Sequence, residues 1–277
     1  MEWNKKVAVI TGAGGTLLGG FARKLASKGT KVAVLSKELD HAQHTVDKIA
    51  SDGGTAKAYA CNVLNKENLT KVEQQIYKDF GQYHILINGA GGNMPKATTT
   101  NEIFTPEDLN DPKIRSFFDL DVSEIEKIFS LNFTSTLITT QIFAKRLLEV
   151  TETTIINFSS MSAQNPMTKV PCYSAAKAAV DNLTKWLAVH FAERGLRVNA
   201  IAPGFFLTNQ NRNLLTNSDG SLTVRSHKII EHTPMKRFGK VSDLFGTLLW
   251  LCDEKASGFV TGSIVGVDGG FQAYAGV

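Results

Sequence analysis

A short apolar run near the start of the chain leads directly into a glycine-rich segment and then into a helical pattern. The run is Val7–Ile10, the glycine-rich segment is Thr11–Gly20, and residues 21–28 have the composition of a helix. A strand followed by a glycine-rich turn and a helix N-terminus forms an anion site, because backbone N–H groups point outward and glycine lets a phosphate approach closely. The pattern therefore predicts a strand–helix unit that binds a pyrophosphate.

Strand and helix patterns go on alternating along all 277 residues, with no linker between them. The chain is 43% hydrophobic, which is enough to bury one large core. We therefore expect a single α/β domain that spans residues 1–277.

Charge and cysteine content exclude several classes of protein. The formal charge of +4 comes from scattered Lys and Arg residues rather than from a basic stripe, so we expect no nucleic-acid partner. Cys61, Cys172 and Cys252 have neither CxxC nor zinc-ligand spacing, which predicts free thiols in a reducing compartment and no metal. The chain enters a strand too early for a signal peptide and has no long apolar run, so we expect a cytoplasmic protein without a membrane partner.

Tyr173 and Lys177 stand four residues apart at the head of an alanine-rich helical run, so both side chains project from one helical face. A neighbouring ammonium stabilises a phenolate and thereby makes tyrosine a useful acid/base. Ser160 follows the strand-like run Thr154–Phe158, where α/β sheets place their sites, and a hydroxyl there can hydrogen-bond the reacting oxygen. These groups suit the interconversion of an alcohol and a ketone, and the alternative is a surface Tyr–Lys pair.

Together with the glycine segment, this set resembles the short-chain dehydrogenase/reductase family, and the resemblance covers essentially the whole chain. It implies a Rossmann-type domain with a parallel seven-stranded sheet between two helix layers. It also implies that Tyr173 is the acid/base, that Ser160 polarises the substrate oxygen, and that Lys177 lowers the pKa of the tyrosine and holds the cofactor ribose. Ser159 and Ser162 are alternatives, but only Ser160 has the family's thirteen-residue spacing to Tyr173.

Asn132 is the fourth candidate catalytic residue. It lies on a predicted long helix that begins at a capping box, Ser123–Glu126, and the periodicity places it on the buried stripe. A buried amide needs hydrogen-bonding partners. The resemblance implies that Asn132 holds a water connecting Lys177 to solvent, and the alternative is an amide bonded to neighbouring backbone.

The glycine segment departs from the family pattern TGxxxGxG. Its first glycine is Gly12, but the next two fall on Thr16 and Leu18. We expect both side chains to turn away from the phosphates.

The end of the second strand, Lys31–Leu35, indicates which nicotinamide cofactor is bound. An acidic residue there would bind the ribose hydroxyls of NAD, but this chain has Ser36 and Lys37. A hydroxyl and a cation suit a 2′-phosphate better, so NADP(H) is favoured and NAD(H) is the alternative.

The remaining cofactor contacts are implied by the resemblance. Asn62 stands where the family usually has Asp, Gly89 replaces the second Asn of an Asn-Asn-Ala-Gly loop, and Pro203–Thr208 matches the segment that binds the nicotinamide carboxamide. The predicted cofactor-binding residues are Gly12, Gly14, Gly15, Thr16, Leu17, Ser36, Lys37, Asn62, Val63, Asn88, Ala90, Gly91, Tyr173, Lys177, Pro203, Gly204 and Thr208.

Two polar segments are candidates to bind the substrate: an insertion at residues 92–121 and a lid at residues 209–240. A carboxylate substrate would need a cation, and arginine can pair with it bidentately. Arg212 or Arg237 is therefore the predicted anchor, with Lys96 as a secondary cation, and the alternative is solvated lid charges. The predicted substrate-binding residues are Asn93, Lys96, Ser160, Arg212 and Arg237.

Three stretches carry a nearer resemblance, to the bacterial D-mannonate oxidoreductases of this family: Gly12–Leu17, Asn88–Asn93 and Asp268–Val277. It implies hydride transfer between the cofactor and a sugar acid, D-fructuronate being reduced to D-mannonate. A gluconate 5-dehydrogenase, another sugar-acid or polyol dehydrogenase and a 3-oxoacyl reductase are the alternatives. A non-catalytic dinucleotide sensor is the alternative from another class, and the four catalytic groups disfavour it. The family also implies a homodimer or homotetramer.

Overall fold

The computed structural model of the protein describes residues 2–208 and 211–276. Met1, Val277 and the first two residues of the predicted lid, Asn209 and Gln210, lie outside the described residues. Within those ranges no helix combines the length and the apolar character that a bilayer crossing requires.

One parallel sheet of seven strands forms the centre of the described structure, with the order β3-β2-β1-β4-β5-β6-β7. The strands are β1 Val7–Thr11, β2 Lys31–Ser36, β3 Ala56–Ala60, β4 Ile85–Asn88, β5 Thr154–Phe158, β6 Arg197–Pro203 and β7 Ile264–Val267. In register, Val9 of β1 pairs with Ala33 of β2 on one side and with Leu86 of β4 on the other. The Rossmann-type fold predicted from the sequence is confirmed.

Helices connect the strands and cover both faces of the sheet. They are α1 Thr16–Ala26, α2 Leu39–Ser51, α3 Lys66–Phe80, α4 Val122–Phe129, α5 Ser135–Leu147, α6 Pro171–His190, α7 Arg212–Leu215, α8 Val224–His232, α9 Phe245–Cys252 and α10 Glu254–Ser257.

The central strands are buried on both faces, as in a parallel sheet between helix layers. Along β1, Ala8 and Ile10 belong to a core shared with α1, α2 and α9, whereas Val7 and Val9 belong to a core shared with α3, α5 and α6. Side chains alternate along a strand, so this one short run contributes to both cores.

The helix that carries Asn132 begins earlier than the sequence suggested. The capping residue is Asp121, whose side chain accepts a hydrogen bond from the Glu124 N–H at 3.2 Å, so the predicted start at Ser123 is wrong. An aspartate two residues before the serine caps the helix equally well and brings an anion to its positive end. A π-helical turn, Ser130–Thr134, then separates α4 from α5 and contains Asn132.

The strand order reverses between β1 and β4, since β2 and β3 lie on one side of β1 and the later strands on the other. In open α/β sheets, ligands bind in the crevice outside the carboxyl ends of the strands at such a point. The segments that follow β1, β4, β5 and β6 therefore converge on one edge of the molecule.

Candidate active site

The loops that follow β1 and β4 approach too closely for side chains at their contact. Gly12 has a φ of +70°, and a Cβ added to it would lie 2.9 Å from the carbonyl oxygen of Gly89. Thr11, which the sequence did not single out, joins the loops by accepting hydrogen bonds from the N–H groups of Gly89 at 3.0 Å and Ala90 at 3.3 Å. Bare backbone thus lines the crevice at this point.

Two departures from the family pattern, Leu18 and Gly89, compensate for each other. Leu18 is only 6% exposed, and a Cβ added to Gly89 would lie 2.4 Å from its Cγ and 2.5 Å from its Cδ1. The leucine therefore fills the volume that the second Asn of the family loop would need. Its side chain turns into the core, as expected, and leaves the helix N-terminus clear.

The N-terminus of α1 fits a pyrophosphate. Its N-cap is Gly15, in an extended conformation and exposed, and no side chain in the described residues caps the helix. The positive end of the helix dipole thus faces the crevice with glycine backbone beside it. A Cβ added to Gly14 would lie 2.8 Å from Ser36 Oγ, which brings this loop against the end of β2 where an adenosine ribose would lie.

Two predicted cofactor-binding residues, Asn62 and Asn88, use their side chains in hydrogen bonds within the protein. Asn62 is exposed, and its side chain accepts a hydrogen bond from the Leu64 N–H at 3.1 Å. The Asn88 side chain turns into the sheet, where it donates to Asn157 Oδ1 at 2.9 Å and to Thr140 Oγ1 at 3.0 Å. Asn88 therefore braces β4 against β5, and only its backbone is left for the cofactor.

The turn after β6 is held by a lid residue. The Asn211 side chain accepts from the Thr208 N–H and donates to the Phe206 carbonyl, both at 2.8 Å. A Cβ added to Gly204 would lie 2.7 Å from Asp268 Cα, so glycine is needed where this turn meets the segment after β7. The predicted carboxamide-binding segment, Pro203–Thr208, is thereby fixed at the same edge of the sheet.

Ser160 and Tyr173 are in contact. Ser160 caps a short 3₁₀ helix, accepts hydrogen bonds from Ser162 N–H at 3.2 Å and Ser162 Oγ at 3.0 Å, and is hydrogen-bonded to the Tyr173 side chain. Ser159 instead donates its hydroxyl to Asp181. Of the three candidate serines, Ser160 is the one whose side chain reaches the tyrosine, in agreement with the spacing.

Lys177 lies beneath this pair. Its Nζ donates to the carbonyl of Phe158 at 2.8 Å and lies 5.8 Å from the centroid of the Tyr173 ring. Burial lowers the pKa of Lys177 to about 8, and the nearby Asp181 carboxylate opposes that change. The lysine is thus a buried cation that loses its proton more easily than an exposed one.

The resemblance implied that Lys177 lowers the pKa of Tyr173, and this stays a prediction. Burial raises the pKa of Tyr173, and the hydrogen bond with Ser160 offsets only part of the rise. Burial removes water that would stabilise the phenolate, and the hydrogen bond with Ser160 stabilises it by less than the water did.

Asn132 is completely buried, as predicted, and its amide is bonded to neighbouring backbone. Its Oδ1 accepts from the Gly92 N–H at 3.1 Å, and its Nδ2 donates to the carbonyls of Gly92 at 2.7 Å and Ile128 at 2.9 Å. Both amide N–H groups are therefore used, which is the alternative that the sequence left open. A Cβ added to Gly91 would lie 2.7 Å from Asn132 Oδ1 and 3.2 Å from Lys177 Nζ, so one glycine touches both candidate residues.

A cavity of about 270 Å³ lies between α8 and residues 165–168, which follow Ser160 in the chain. Its wall at residues 165–168 is tied to sequence neighbours of Ser160 and Tyr173, because the Asn165 N–H donates to the Met161 carbonyl at 3.2 Å and the Met167 N–H donates to Ser174 Oγ at 3.3 Å. The lining residues are Glu102, Asn165, Pro166, Met167, Thr168, Phe205, Arg225, Lys228, Ile229, His232 and Phe271. The predicted insertion, the predicted lid and the C-terminal segment all contribute to it.

None of the five predicted substrate-binding residues lines this cavity. Asn93 is bonded within the insertion, Lys96 is exposed on a 3₁₀ turn, and Arg212 is exposed on α7. Arg237 forms an ion pair with Asp243 at 2.6 Å and lines a separate cavity. The sequence does not tell which face of the lid meets the site, so Arg212 and Arg237 stay predictions.

The cysteines are free, as predicted. Burial raises the pKa of Cys61 and of Cys252 to about 12, and it also raises the pKa of Cys172 beside Tyr173. A thiol with a raised pKa is a poor nucleophile, so Cys172 acts in packing.

The family model for short chain dehydrogenases matches residues 6–219. An uncharacterized oxidoreductase of Bacillus subtilis (strain 168), UxuB, is 56% identical over 272 residues, which are 98% of this chain and 96% of that protein.

Two solved structures are also similar. A Haemophilus influenzae protein provisionally described as a D-mannonate oxidoreductase, with NAD bound, is 50% identical with a TM-score of 0.94, covering 99% of this chain and 97% of that one. An Agrobacterium tumefaciens protein provisionally described as a gluconate dehydrogenase is 25% identical with a TM-score of 0.83, covering 97% and 96% of the two chains.

Proposed function

Because the chain belongs to the short chain dehydrogenase family, and is therefore a nicotinamide-dependent oxidoreductase of CH–OH groups, we propose that it interconverts D-fructuronate and D-mannonate. The observation that carries this proposal is the cavity between α8 and residues 165–168, which the cations Arg225 and Lys228 line and whose wall is hydrogen-bonded to the residues next to Ser160 and Tyr173. A hexuronate has a carboxylate and several hydroxyls, so its site needs cations and polar donors. The description of the Haemophilus influenzae relative supports the same substrate.

The catalytic roles follow from the contacts. Tyr173 gives its proton to the ketone oxygen during reduction and takes it back during oxidation. Ser160, which already contacts the Tyr173 side chain, hydrogen-bonds the same oxygen. Lys177, 5.8 Å from the ring, stabilises the phenolate, and with a pKa of about 8 it is mainly charged at neutral pH.

The bound nicotinamide cofactor supplies or accepts the hydride. The glycine loop and the N-terminus of α1 would hold its pyrophosphate, and Pro203–Thr208 would hold the carboxamide. Asn132 fixes Gly92 and so keeps the adjoining Gly91 against Lys177. We assign Asn132 this positioning role, and a proton relay past it stays a prediction.

A gluconate dehydrogenase is the second candidate, because the Agrobacterium tumefaciens structure is similar over nearly the whole chain. The cation-lined cavity suits this six-carbon acid as well. A 3-oxoacyl reductase stays an alternative, because the same cavity also has an apolar lining that suits an acyl chain, from Pro166, Met167, Phe205, Ile229 and Phe271.

A substrate panel tests the proposal. Purified protein is assayed with D-fructuronate, 5-keto-D-gluconate, D-fructose and an acetoacetyl thioester, each with both reduced cofactors, and with Tyr173→Phe as the inactive control. We expect the highest kcat/KM with D-fructuronate. A higher value with 5-keto-D-gluconate would favour the second candidate, and a preference for D-fructose or the thioester would exclude both sugar acids.

We also propose that NADP(H) is preferred to NAD(H). The support is Lys37, which is exposed directly after β2 and forms no ion pair with any residue in the described ranges. The Haemophilus influenzae relative has NAD bound, and Glu38 follows the lysine, so kcat/KM must be compared for both cofactors. A higher value with NADH would contradict the proposal.

We further propose a homodimer or homotetramer, as is common in the family. Large apolar side chains that a second copy would cover are exposed at Trp186 and Val189 on α6 and at Phe259 after α10. Light scattering measures the mass in solution, and a monomer at working concentrations would contradict this assembly.

A further inference from the structure

Three segments of the chain meet at the mouth of the 270 Å³ cavity. Glu102, in the predicted insertion, forms an ion pair with Lys228 on α8. The insertion is also tied to the loop before α6, because the Thr99 N–H donates to the carbonyl of Lys169 at 2.9 Å. Insertion, loop and lid are therefore in contact at the place where a substrate would enter.

The protein's own Glu102 carboxylate already lies beside the cations of this cavity. The ion pair with Lys228 lowers the pKa of the Glu102 carboxyl, and the charges on Lys169 and Arg225 lower it further. One carboxylate thus faces three cations, and Arg225 has no ion-pair partner among residues 2–208 and 211–276. The cluster keeps an excess of positive charge on the side that faces the cavity.

We propose that Arg225 binds the substrate carboxylate, and that Lys228 exchanges Glu102 for that carboxylate when the substrate enters. This inference rests on the proposed function and names the anchor within it. Arg225 lines the cavity, whereas Arg212 does not and Arg237 is paired with Asp243 in a separate cavity. The guanidinium fork pairs with both oxygens of a carboxylate, so Arg225 fixes orientation as well as charge.

The polar groups around Arg225 complete the site. Asn165 and Thr168 line the same cavity on the loop that follows Ser160, and they can serve the hydroxyls of an open-chain acid. His232 lines it one turn after Lys228, with its Nδ1 bound to the Lys228 carbonyl at 2.8 Å. The carboxylate end of the substrate therefore lies toward α8, and the ketone end lies toward Tyr173.

The main experiment compares two ketones that differ at one carbon. D-fructose has a CH₂OH group where D-fructuronate has its carboxylate, so loss of the anchor affects only the acid. A charge-assisted hydrogen bond contributes about 1.5–3 kcal/mol, so Arg225→Ala should lower kcat/KM for D-fructuronate about 10- to 100-fold and leave D-fructose within about twofold. For D-fructuronate, the kcat/KM of Arg225→Lys should lie between that of the wild type and that of Arg225→Ala. Arg194→Ala, an exposed arginine outside the cavity, is the matched control and should change neither value of kcat/KM.

A binding measurement covers the case in which D-fructose turns over too slowly. In a Tyr173→Phe background, D-mannonate is titrated calorimetrically into the cofactor-saturated protein with and without Arg225→Ala. We expect its Kd to rise about 10-fold or more, while the Kd of the cofactor stays unchanged. An unchanged cofactor Kd also shows that the variant is folded.

Glu102→Gln tests the exchange. Removing the internal carboxylate removes a competitor, and a partly exposed ion pair contributes up to about 1 kcal/mol, so KM for D-fructuronate should fall about two- to fivefold. A rise in KM would show instead that Glu102 helps to bind the substrate, and the exchange would be wrong.

Failure of the proposed function and failure of the proposed anchor give different results. If the wild-type protein prefers D-fructose to D-fructuronate, the proposed function is wrong. If it prefers D-fructuronate but Arg225→Ala lowers kcat/KM no more than Arg194→Ala does, or lowers it equally for both ketones, the proposed function stands and the anchor is another residue.

Discussion

The contact between Leu18 and Gly89 leads to a double-mutant prediction. Gly89→Ala would place a Cβ 2.4 and 2.5 Å from two carbons of Leu18, whereas carbon atoms in contact lie about 3.5–4.0 Å apart. Leu18 would have to move by about 1 Å within a packed helix, and overpacking of this kind costs about 1–3 kcal/mol. We expect the upper half of that range, because the Thr11 carbonyl, 2.9 Å away, is backbone and cannot yield.

Shortening the leucine should relieve the clash. Leu18→Ala alone removes a buried side chain and should cost about 2–5 kcal/mol. In that background, however, Gly89→Ala should cost less than about 1 kcal/mol, since only the contact with the Thr11 oxygen remains. The two substitutions should therefore be coupled by about 1–2 kcal/mol.

Urea unfolding of the cofactor-free protein measures the free energies of unfolding, at one protein concentration because assembly affects apparent stability. Gly92→Ala is the control on the same loop, since its added Cβ would meet nothing closer than Leu131 at 3.7 Å, and it should stay within about 0.5 kcal/mol of the wild type. If Gly89→Ala costs the same in both backgrounds, or no more than Gly92→Ala, then Leu18 does not fill the space beside Gly89.

Three further predictions concern the reaction. Tyr173→Phe should lower kcat at least about 100-fold while cofactor affinity measured by fluorescence stays nearly unchanged, and a loss below tenfold would show that another group carries the proton. Asp181→Asn removes the carboxylate that opposes the lowering of the Lys177 pKa. That pKa should then fall below about 8, and because activity needs the protonated lysine, the alkaline limb of the kcat/KM profile should move to lower pH; an unmoved limb would assign it to another group. Lys37→Asp should shift the kcat/KM ratio toward NADH, and an unchanged ratio would remove Lys37 from cofactor selection.

Much of the fold was predictable because its signals are local. The run Val7–Ile10 is apolar throughout, as a strand covered on both faces must be, and it forms β1 as predicted. The helix α3, Lys66–Phe80, begins directly after a residue type that commonly caps helices. Asn65 caps that helix, with its side chain accepting from the Asn68 N–H at 2.7 Å. The cap of α4 was missed by two residues, because Asp121 and Ser123 are both good caps and only the packed helix shows which is used.

The candidate catalytic set was predictable for a similar reason. Tyr173 and Lys177 are separated by one helical turn, so the helix alone places them on one face. Ser160 follows β5, at the sheet edge where α/β proteins place their sites. The environments of these side chains were not predictable in this way. Burial of Tyr173, which raises its pKa, and the bonding of the Asn132 amide to Gly92 depend on segments that are distant in the chain.

The sequence by itself determined the order of strands and helices, the glycine loop and the spacing of Ser160, Tyr173 and Lys177, because each depends on residues within a few turns of one another. Only the tertiary structure decided that Leu18 fills the space left by Gly89, and that α8 presents Arg225 and Lys228 to the cavity. Such contacts join residues more than 50 positions apart. They depend on how helices pack on the sheet, and sequence periodicity predicts a buried face but not the residue that it meets.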